Sequence, residues 1–420
     1  MKLNVFLGKK KAGSLYSTDN RGVVFAYDKD YLLSADSVKL SLSLPLQAEE
    51  FSQKQCIPFF SGLLPEEDTR KKIADYLHIS DTSTLKLLEA LGGECAGMIS
   101  ILSEDSTCNF TESFQLNEEN YEELSEERLC EFIKMMPERP LIKADDKLRL
   151  SLAGSQEKLA LAKIEGKWYL PLNGAPSTHI LKPAKYGNLS SIAQNEYICM
   201  TLAKELGLKV PDVDLLNFDG KDIFVVERYD RHIEGNMIQR LHQEDFCQAL
   251  GILSTEKYQS DGGPGISSIY NCIKENLTVP ALELKKFLTY VIFNYLVGNC
   301  DSHGKNYSIL YYKNTTRLSP MYDIVATTIY PFLTDKLSMK IGSHYEIDKV
   351  CKEDFAQLAK ELNIKLSVIQ GIFKDFSSKL DAAFKKLKEN PKIDLFLLEK
   401  IFDEVRKRLF TLHAKCDTLP

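Results

Sequence analysis

Asn299-Cys300-Asp301-Ser302-His303-Gly304-Lys305-Asn306 is the stretch on which the reading of this 420-residue chain turns. It follows an apolar run, Tyr290 to Val297, with the pattern of a buried helix end. It precedes Tyr307-Ser308-Ile309-Leu310-Tyr311, which has the pattern of a strand. A turn held between two buried elements is where a rigid scaffold presents reactive side chains. Asp323 follows seventeen residues after Asn306, behind Ser319-Pro320-Met321-Tyr322. A carboxylate, an asparagine and a second carboxylate in this order suit phosphoryl transfer. That chemistry needs one group to orient an attacking hydroxyl and two to hold magnesium. The competing reading is purely structural, since Asp, Asn, Ser and Gly bend and cap backbone in any turn. A P-loop is set aside: the spacing between Gly298 and Gly304 is one residue too long, Asn306 replaces Ser or Thr, and the preceding element is helical.

Composition bounds the rest. Apolar residues make up 44% and charged residues 27%, as in ordinary globular proteins, and the length allows two or three domains. A net charge of −6 argues against autonomous binding to a nucleic-acid backbone. The ten cysteines are scattered without Cys-x-x-Cys or zinc spacing, so reduced thiols and no structural metal are expected. No leader-like segment and no long apolar run is present, so a cytoplasmic location and no membrane contact are expected.

Taken in order, Leu3 to Leu7 and Val23 to Tyr27 predict strands, and Leu40, Leu42, Leu44 and Leu46 alternate like an irregular edge strand interrupted by Pro45. Helices are predicted after Glu66 and over Leu85 to Leu91, with Gly92-Gly93 as a stop, and a strand over Ala96 to Leu102. Ser103 to Glu127 is acidic and poor in apolar runs, the best boundary in the chain, and Arg128 to Met136 is a short helix. Strands follow at Leu159 to Ile164, Trp168 to Leu172 and Thr178 to Pro183, then a helix over Asn195 to Leu206. A hairpin turns at Asp219-Gly220. Beyond Gln243 the chain is mostly helical. The predicted class is α+β: a two-lobed, protein-kinase-like fold with a β-rich N-terminal part, an extra N-terminal subdomain and an all-helical C-terminal lobe.

Other parts of a kinase occur in kinase order. The small-residue turn Ala153-Gly154-Ser155-Gln156-Glu157-Lys158 is a candidate phosphate-covering loop, with a plain hairpin as the alternative. Lys182 ends a strand ahead of helical Glu196, and Glu227-Arg228-Tyr229-Asp230-Arg231 is either a hinge meeting the adenine edge or a surface charge cluster. His303 is a loop-packing residue rather than a base, because Asp301 is at hand.

These residues carry a family resemblance. Ser43-Leu44-Pro45-Leu46, Phe60-Ser61-Gly62-Leu63-Leu64-Pro65-Glu66, Leu91-Gly92-Gly93-Glu94-Cys95-Ala96-Gly97, Ser151 to Leu161, Thr178 to Pro183, Asn195-Glu196, Val226 to Arg231, Gly298 to Asn306 and Pro320-Met321-Tyr322-Asp323 resemble, in order and nearly end to end, HipA-type serine/threonine kinases. These are the toxin halves of bacterial toxin–antitoxin pairs. The resemblance implies residues 1–105 as an N-terminal β-rich subdomain, 106–147 as an acidic linker with a short helix, 148–242 as the lobe with the ATP loop, and 243–420 as the helical lobe. It implies ATP and Mg2+ as cofactors, Asp301 as the base, and Asn306 with Asp323 as magnesium ligands. Residues 153–158, Lys182, Glu227, Arg228, Tyr229, His303, Gly304, Lys305, Asn306, Tyr322 and Asp323 would bind the nucleotide. Ser151 matches the family's autophosphorylation position, where a phosphate would displace the loop and inactivate the enzyme. The implied partners are a helix-turn-helix antitoxin of HipB type, operator DNA mainly through that antitoxin, and a protein substrate in translation such as an aminoacyl-tRNA synthetase. Two other classes stay open: a catalytically silent ATP-binding regulatory subunit, and a small-molecule phosphotransferase.

Overall fold

The computed structural model describes residues 1–18, 22–105, 113–115, 117, 119–135, 156, 158–184, 187–235, 237–312 and 314–411. The chain divides into two compact units that interleave in sequence. The first holds Met1–Pro183, Val226–Thr255 and Leu310–Asn314; the second holds Ala184–Val225, Glu256–Ile309 and Thr315–Pro420.

The first unit contains an antiparallel sheet in the order Gly22–Tyr27, Lys10–Thr18, Lys2–Leu7, Ile99–Ser103. Alternation puts Leu3, Val5, Leu15 and Phe25 on one face, where they are fully buried with Phe51, Phe59, Phe60 and Leu88. The helices Gln53–Gly62 and Thr84–Leu91 supply the last three of those side chains. A second sheet pairs Tyr121–Leu124 with Lys167–Pro171, that strand with Leu159–Ile164, and the latter with His179–Pro183, all antiparallel. The strands and helices expected here lie within a few residues of their predicted places.

The stretch around Leu44 departs from expectation. It forms no strand, only an isolated bridge between Ser41 and Leu44. Its backbone is captured by side chains instead: Tyr27 donates to the Leu44 carbonyl at 2.6 Å and accepts from the Leu40 N–H at 2.8 Å. Glu244 accepts from the Leu42 N–H at 3.0 Å, and Ser43 Oγ donates to the Gln248 carbonyl at 2.7 Å. Leu40 and Leu44 are buried while Leu46 is exposed, so the alternation in sequence does not mark one sheet face. Side-chain hydrogen bonds of this kind compete directly with ladder formation.

The second unit is built around the helix Pro280–Val297. Proline stands at its first turn, where no N–H is needed. Phe293 packs on Phe376 of Leu366–Lys388 at 5.9 Å, and Tyr295 meets Phe355 of Lys352–Glu361 edge-on at 5.3 Å. Helices Ile192–Glu205, Ile266–Asn276 and Leu395–Leu409 complete the set. The C-terminal part is not all-helical: Thr315–Leu318 and the antiparallel pair Lys336–Ile341 and His344–Glu346 are strands. The hairpin between Val213–Phe218 and Lys221–Glu227 turns at Asp219 and Gly220, with φ of 51° and 76°, the left-handed pair that a two-residue turn requires. Cys56, Cys95, Cys130, Cys199, Cys247, Cys272 and Cys300 carry free thiols. Among the described residues no helix is long and apolar enough to cross a membrane.

Candidate active site

The Asp301 loop lies wholly in the second unit. Its helix stops at Gly298, with φ 74°, where a Cβ would come within 2.1 Å of Thr328 Oγ1. Only glycine fits such a left-handed, crowded position. The next residues are fixed through the backbone. Cys300 N–H donates to Thr327 Oγ1 at 2.9 Å, and the Cys300 carbonyl accepts from Ser338 N–H at 2.9 Å and Oγ at 2.7 Å. Below them Asn294 Nδ2 donates to Ser302 Oγ at 2.8 Å and to Tyr307 Oη at 3.0 Å, and its Oδ1 accepts from Asn299 Nδ2 at 2.9 Å. Burial pushes the Tyr307 phenol up to about 12 and the Cys300 thiol to about 11, so both stay protonated and neutral. Asp301, carried on this base, is itself exposed, and its Oδ1 accepts from Tyr258 Oη at 2.8 Å.

Asn306 and Asp323 meet. Asn306 Nδ2 donates to Asp323 Oδ2 at 3.0 Å, while the buried Asn306 Oδ1 has no hydrogen-bond partner. Asp323 has φ 59°, a conformation tolerated by Asp and concentrated at functional sites. Tyr322 ties the two segments together, donating to the Lys305 carbonyl at 2.7 Å and meeting Ser308 Oγ at 2.6 Å. A buried amide oxygen without a partner beside a carboxylate fits a hard divalent cation. Magnesium characteristically takes one or two protein oxygens and completes its octahedron with phosphate and water. Gly304 and Lys305 are buried in the short 3-10 turn that carries Asn306, and His303 packs edge-on against Tyr258 at 5.3 Å.

In the first unit Lys182 is buried at the end of His179–Pro183; Glu196, on Ile192–Glu205, belongs to the second unit. Glu227 and Tyr229 are half-buried, and Tyr229 Oη donates to Gln243 Oε1. Between them Arg228 is buried and so is no part of a surface cluster. Its Nη1 donates to Glu94 Oε1 at 3.0 Å and to Ser177 Oγ at 2.8 Å. Its Nε and Nη2 grip both Asp230 oxygens at 3.0 and 2.9 Å. Its N–H donates to the Thr178 carbonyl and its carbonyl accepts from Arg231, so every polar group of Arg228 is used inside the unit. Arg231 joins through Glu94 at 2.8 Å and the Gly97 carbonyl at 3.0 Å. Burial alone would raise the Glu94 and Asp230 carboxyls, but the guanidiniums of Arg228 and Arg231 overcome it and hold both below the ordinary carboxylate range. Ser151, Ala153, Gly154, Ser155 and Glu157 lie outside the described residues. Gln156 and Lys158, both half-buried, lie inside them.

Tyr258 is the residue that the sequence reading missed. Its only local signal is the turn-forming Asp261-Gly262-Gly263-Pro264-Gly265 just beyond it.

Two family models match the chain, the HipA N-terminal domain over residues 3–102 and the HipA-like C-terminal domain over residues 150–384. The chain belongs to the HipA family. HipA relatives of similar length include the serine/threonine-protein kinase toxin HipA of Shewanella oneidensis, 31% identical over 87% of this chain and 84% of that one. The Y4mE protein of Sinorhizobium fredii is 37% identical over 88% of this chain and 87% of its own length. A solved complex of Shewanella oneidensis HipA with HipB and its operator DNA matches the fold with a TM-score of 0.84 at 25% identity, covering 99% of each chain. This HipA-type chain is therefore a kinase, an enzyme that uses a nucleotide, and its fold is of the kinase-like α+β class.

Proposed function

We propose that the chain is an ATP-dependent serine/threonine protein kinase acting as the toxin of a toxin–antitoxin pair. The observation that carries this is the loop in which an exposed Asp301 sits on a rigid base and Asn306 and Asp323 converge with one oxygen left over. In this reading the acceptor hydroxyl oxygen bonds to the γ-phosphorus, the bond from that phosphorus to the bridging oxygen breaks, ADP leaves, and Asp301 takes the hydroxyl proton. Asn306 and Asp323 would hold magnesium, which when bound neutralises charge on the phosphate oxygens. Lys182 would serve the phosphates, and Glu227, Arg228 and Tyr229 the adenine; residues 153–158 would cover the phosphates. His303, Gly304, Lys305 and Tyr322 would frame the nucleotide from the loop. Phosphorylation of Ser151 would add close to two negative charges beside that covering loop and switch the enzyme off.

A partner of HipB type and operator DNA are supported by the relative solved with both, and the acidic balance of this chain leaves most DNA contact to the partner. A growth-arresting protein target in translation completes the reading.

The test is intact-mass spectrometry with peptide mapping of wild type and Asp301→Ala after incubation with magnesium and ATP. One phosphoryl group on Ser151 is expected in wild type; the variant, slowed by about 10²–10⁴-fold, should show none. A wild-type sample that starts unphosphorylated and gains no mass would overturn the kinase reading.

A further inference from the structure

We infer that Tyr258 is a positioning residue for phosphoryl transfer, holding the Asp301 carboxylate in the rotamer from which it meets the acceptor hydroxyl. The inference rests on the assignment of Asp301 as the base.

Geometry supports it from both sides of the contact. On the Asp301 side, the backbone is pinned at Cys300 and by the Asp301 N–H, which donates to Asn299 Oδ1 at 3.2 Å. The side chain is exposed, and an exposed carboxylate on a fixed backbone still has several rotamers open to it. The Tyr258 hydroxyl, at 2.8 Å from Oδ1, selects one. A phenol suits this task because it donates a hydrogen bond without bringing a charge.

On the other side, the segment that carries Tyr258 is built to hold still. The Tyr258 carbonyl accepts from Asp261 N–H at 3.0 Å and Gly263 N–H at 2.8 Å. That turn admits no side chain at Gly263, where a Cβ would lie 2.3 Å from the Glu256 carbonyl oxygen and 2.7 Å from that of Tyr258. Gly262 takes φ 101°, a conformation for glycine. The next residue, Gln259, is anchored as its Oε1 accepts from Lys340 N–H at 2.9 Å. The Tyr258 ring rests edge-on against His303, two residues beyond Asp301, and the ammonium of the buried Lys257 lies 5.5 Å from its centre. A ring wedged between a rigid turn and the catalytic loop, with its hydroxyl on the loop's exposed carboxylate, is placed by the fold and not by chance surface contact.

Tyr258→Phe removes the hydroxyl and keeps the ring packing. The experiment measures the rate of self-phosphorylation against ATP concentration for wild type, Tyr258→Phe and Asp301→Asn, together with the affinity of each for a fluorescent ATP analogue in magnesium. Misplacing a reacting group by a fraction of its reach slows a step by about 10- to 100-fold, and that drop in the limiting rate is expected for Tyr258→Phe. Half-saturation by ATP and affinity for the analogue should be unchanged, the signature of an interaction used after binding. An unchanged or faster limiting rate would overturn the inference, as would a parallel loss of nucleotide affinity, which marks a structural role. A wild type that transfers no phosphoryl group sinks the kinase reading and this inference with it. An active wild type with an inactive Asp301→Asn and a fully active Tyr258→Phe sinks this inference alone.

Discussion

Two polar clusters of this molecule use carboxylates to opposite ends. In the first unit Glu94, Asp230, Arg228 and Arg231 are buried, and each oxygen of both carboxylates meets at least one donor. In the second unit Asp301 is exposed, and Asn306, though buried, keeps an oxygen without a hydrogen-bond partner. Arg231 Nε is left without a partner in the first cluster, so the contrast lies in the acceptor oxygens: oxygens that all meet donors mark a cluster that holds structure, and a spare oxygen at a fixed position marks one arranged for a cation. The presence of a carboxylate does not separate the two cases. The inventory of acceptor oxygens does.

The sharpest way to break that contrast is Arg228→Met. Removing one partner of a buried ion cluster leaves Glu94 and Asp230 with less compensation, and the expected loss is about 3–5 kcal/mol. Asp301→Ala, at the exposed side chain of an otherwise buried loop, should stay within about 0.5 kcal/mol of wild type. Urea denaturation of both variants checks the pair. Equal stability losses would show that saturation does not distinguish the clusters.

Gly97→Ala should come next in size. Gly97 has φ 71°, and a Cβ there would lie 2.8 Å from the Gln243 backbone nitrogen. Its N–H donates to Asp230 Oδ2 at 2.7 Å, so strain at this residue loosens the saturated cluster from its backbone side. The expected cost is about 1–3 kcal/mol. An unchanged urea midpoint would mean that the cluster holds without this backbone donor.

The contrast also explains what the sequence could reveal. The Asp301 loop was legible because its three groups lie close in sequence and phosphoryl transfer imposes their order. The helices and most strands were legible from apolar period. The ion cluster around Arg228 was not legible because Glu94 lies 134 positions upstream. Tyr258 was missed for the same reason on a smaller scale, at 43 positions from Asp301. The stretch Leu40–Leu46 alternates like a strand, yet Tyr27 and Glu244 claim its backbone groups, and neither competitor is visible locally. Periodicity reports which side chains are buried; it does not report which distant polar group takes the backbone hydrogen bonds.

Glu244 offers the subtlest test, because it is a buried carboxylate of a third kind. It meets no cation among its hydrogen-bond partners: Ser41 Oγ, the Leu42 N–H and Tyr311 Oη donate to it. Burial therefore prevails over these neutral donors and pushes its carboxyl up to about 7, whereas the guanidiniums around Glu94 reverse the same effect. Two residues away, burial pushes the His242 imidazole down to about 4. The signs oppose each other. Between the ordinary value of 4.5 and 7 the folded state holds the Glu244 proton more tightly than the unfolded chain, so its contribution is complete below that window and lost as pH rises through it. The His242 contribution is present above 6.5 and lost as pH falls toward 4, because the unfolded imidazole takes up a proton that the buried one refuses. Glu244→Gln keeps an oxygen for the Leu42 N–H and the Tyr311 hydroxyl, which share Oε1, and the Ser41 hydroxyl can turn to accept from the new amide. The variant should lose the decline toward neutral pH and keep the His242 rise. It should gain on the order of 1–3 kcal/mol over wild type between pH 5 and pH 8. Urea titrations at those two pH values decide it: a difference between variant and wild type that is the same at both would mean that Glu244 does not take up its proton in the folded state.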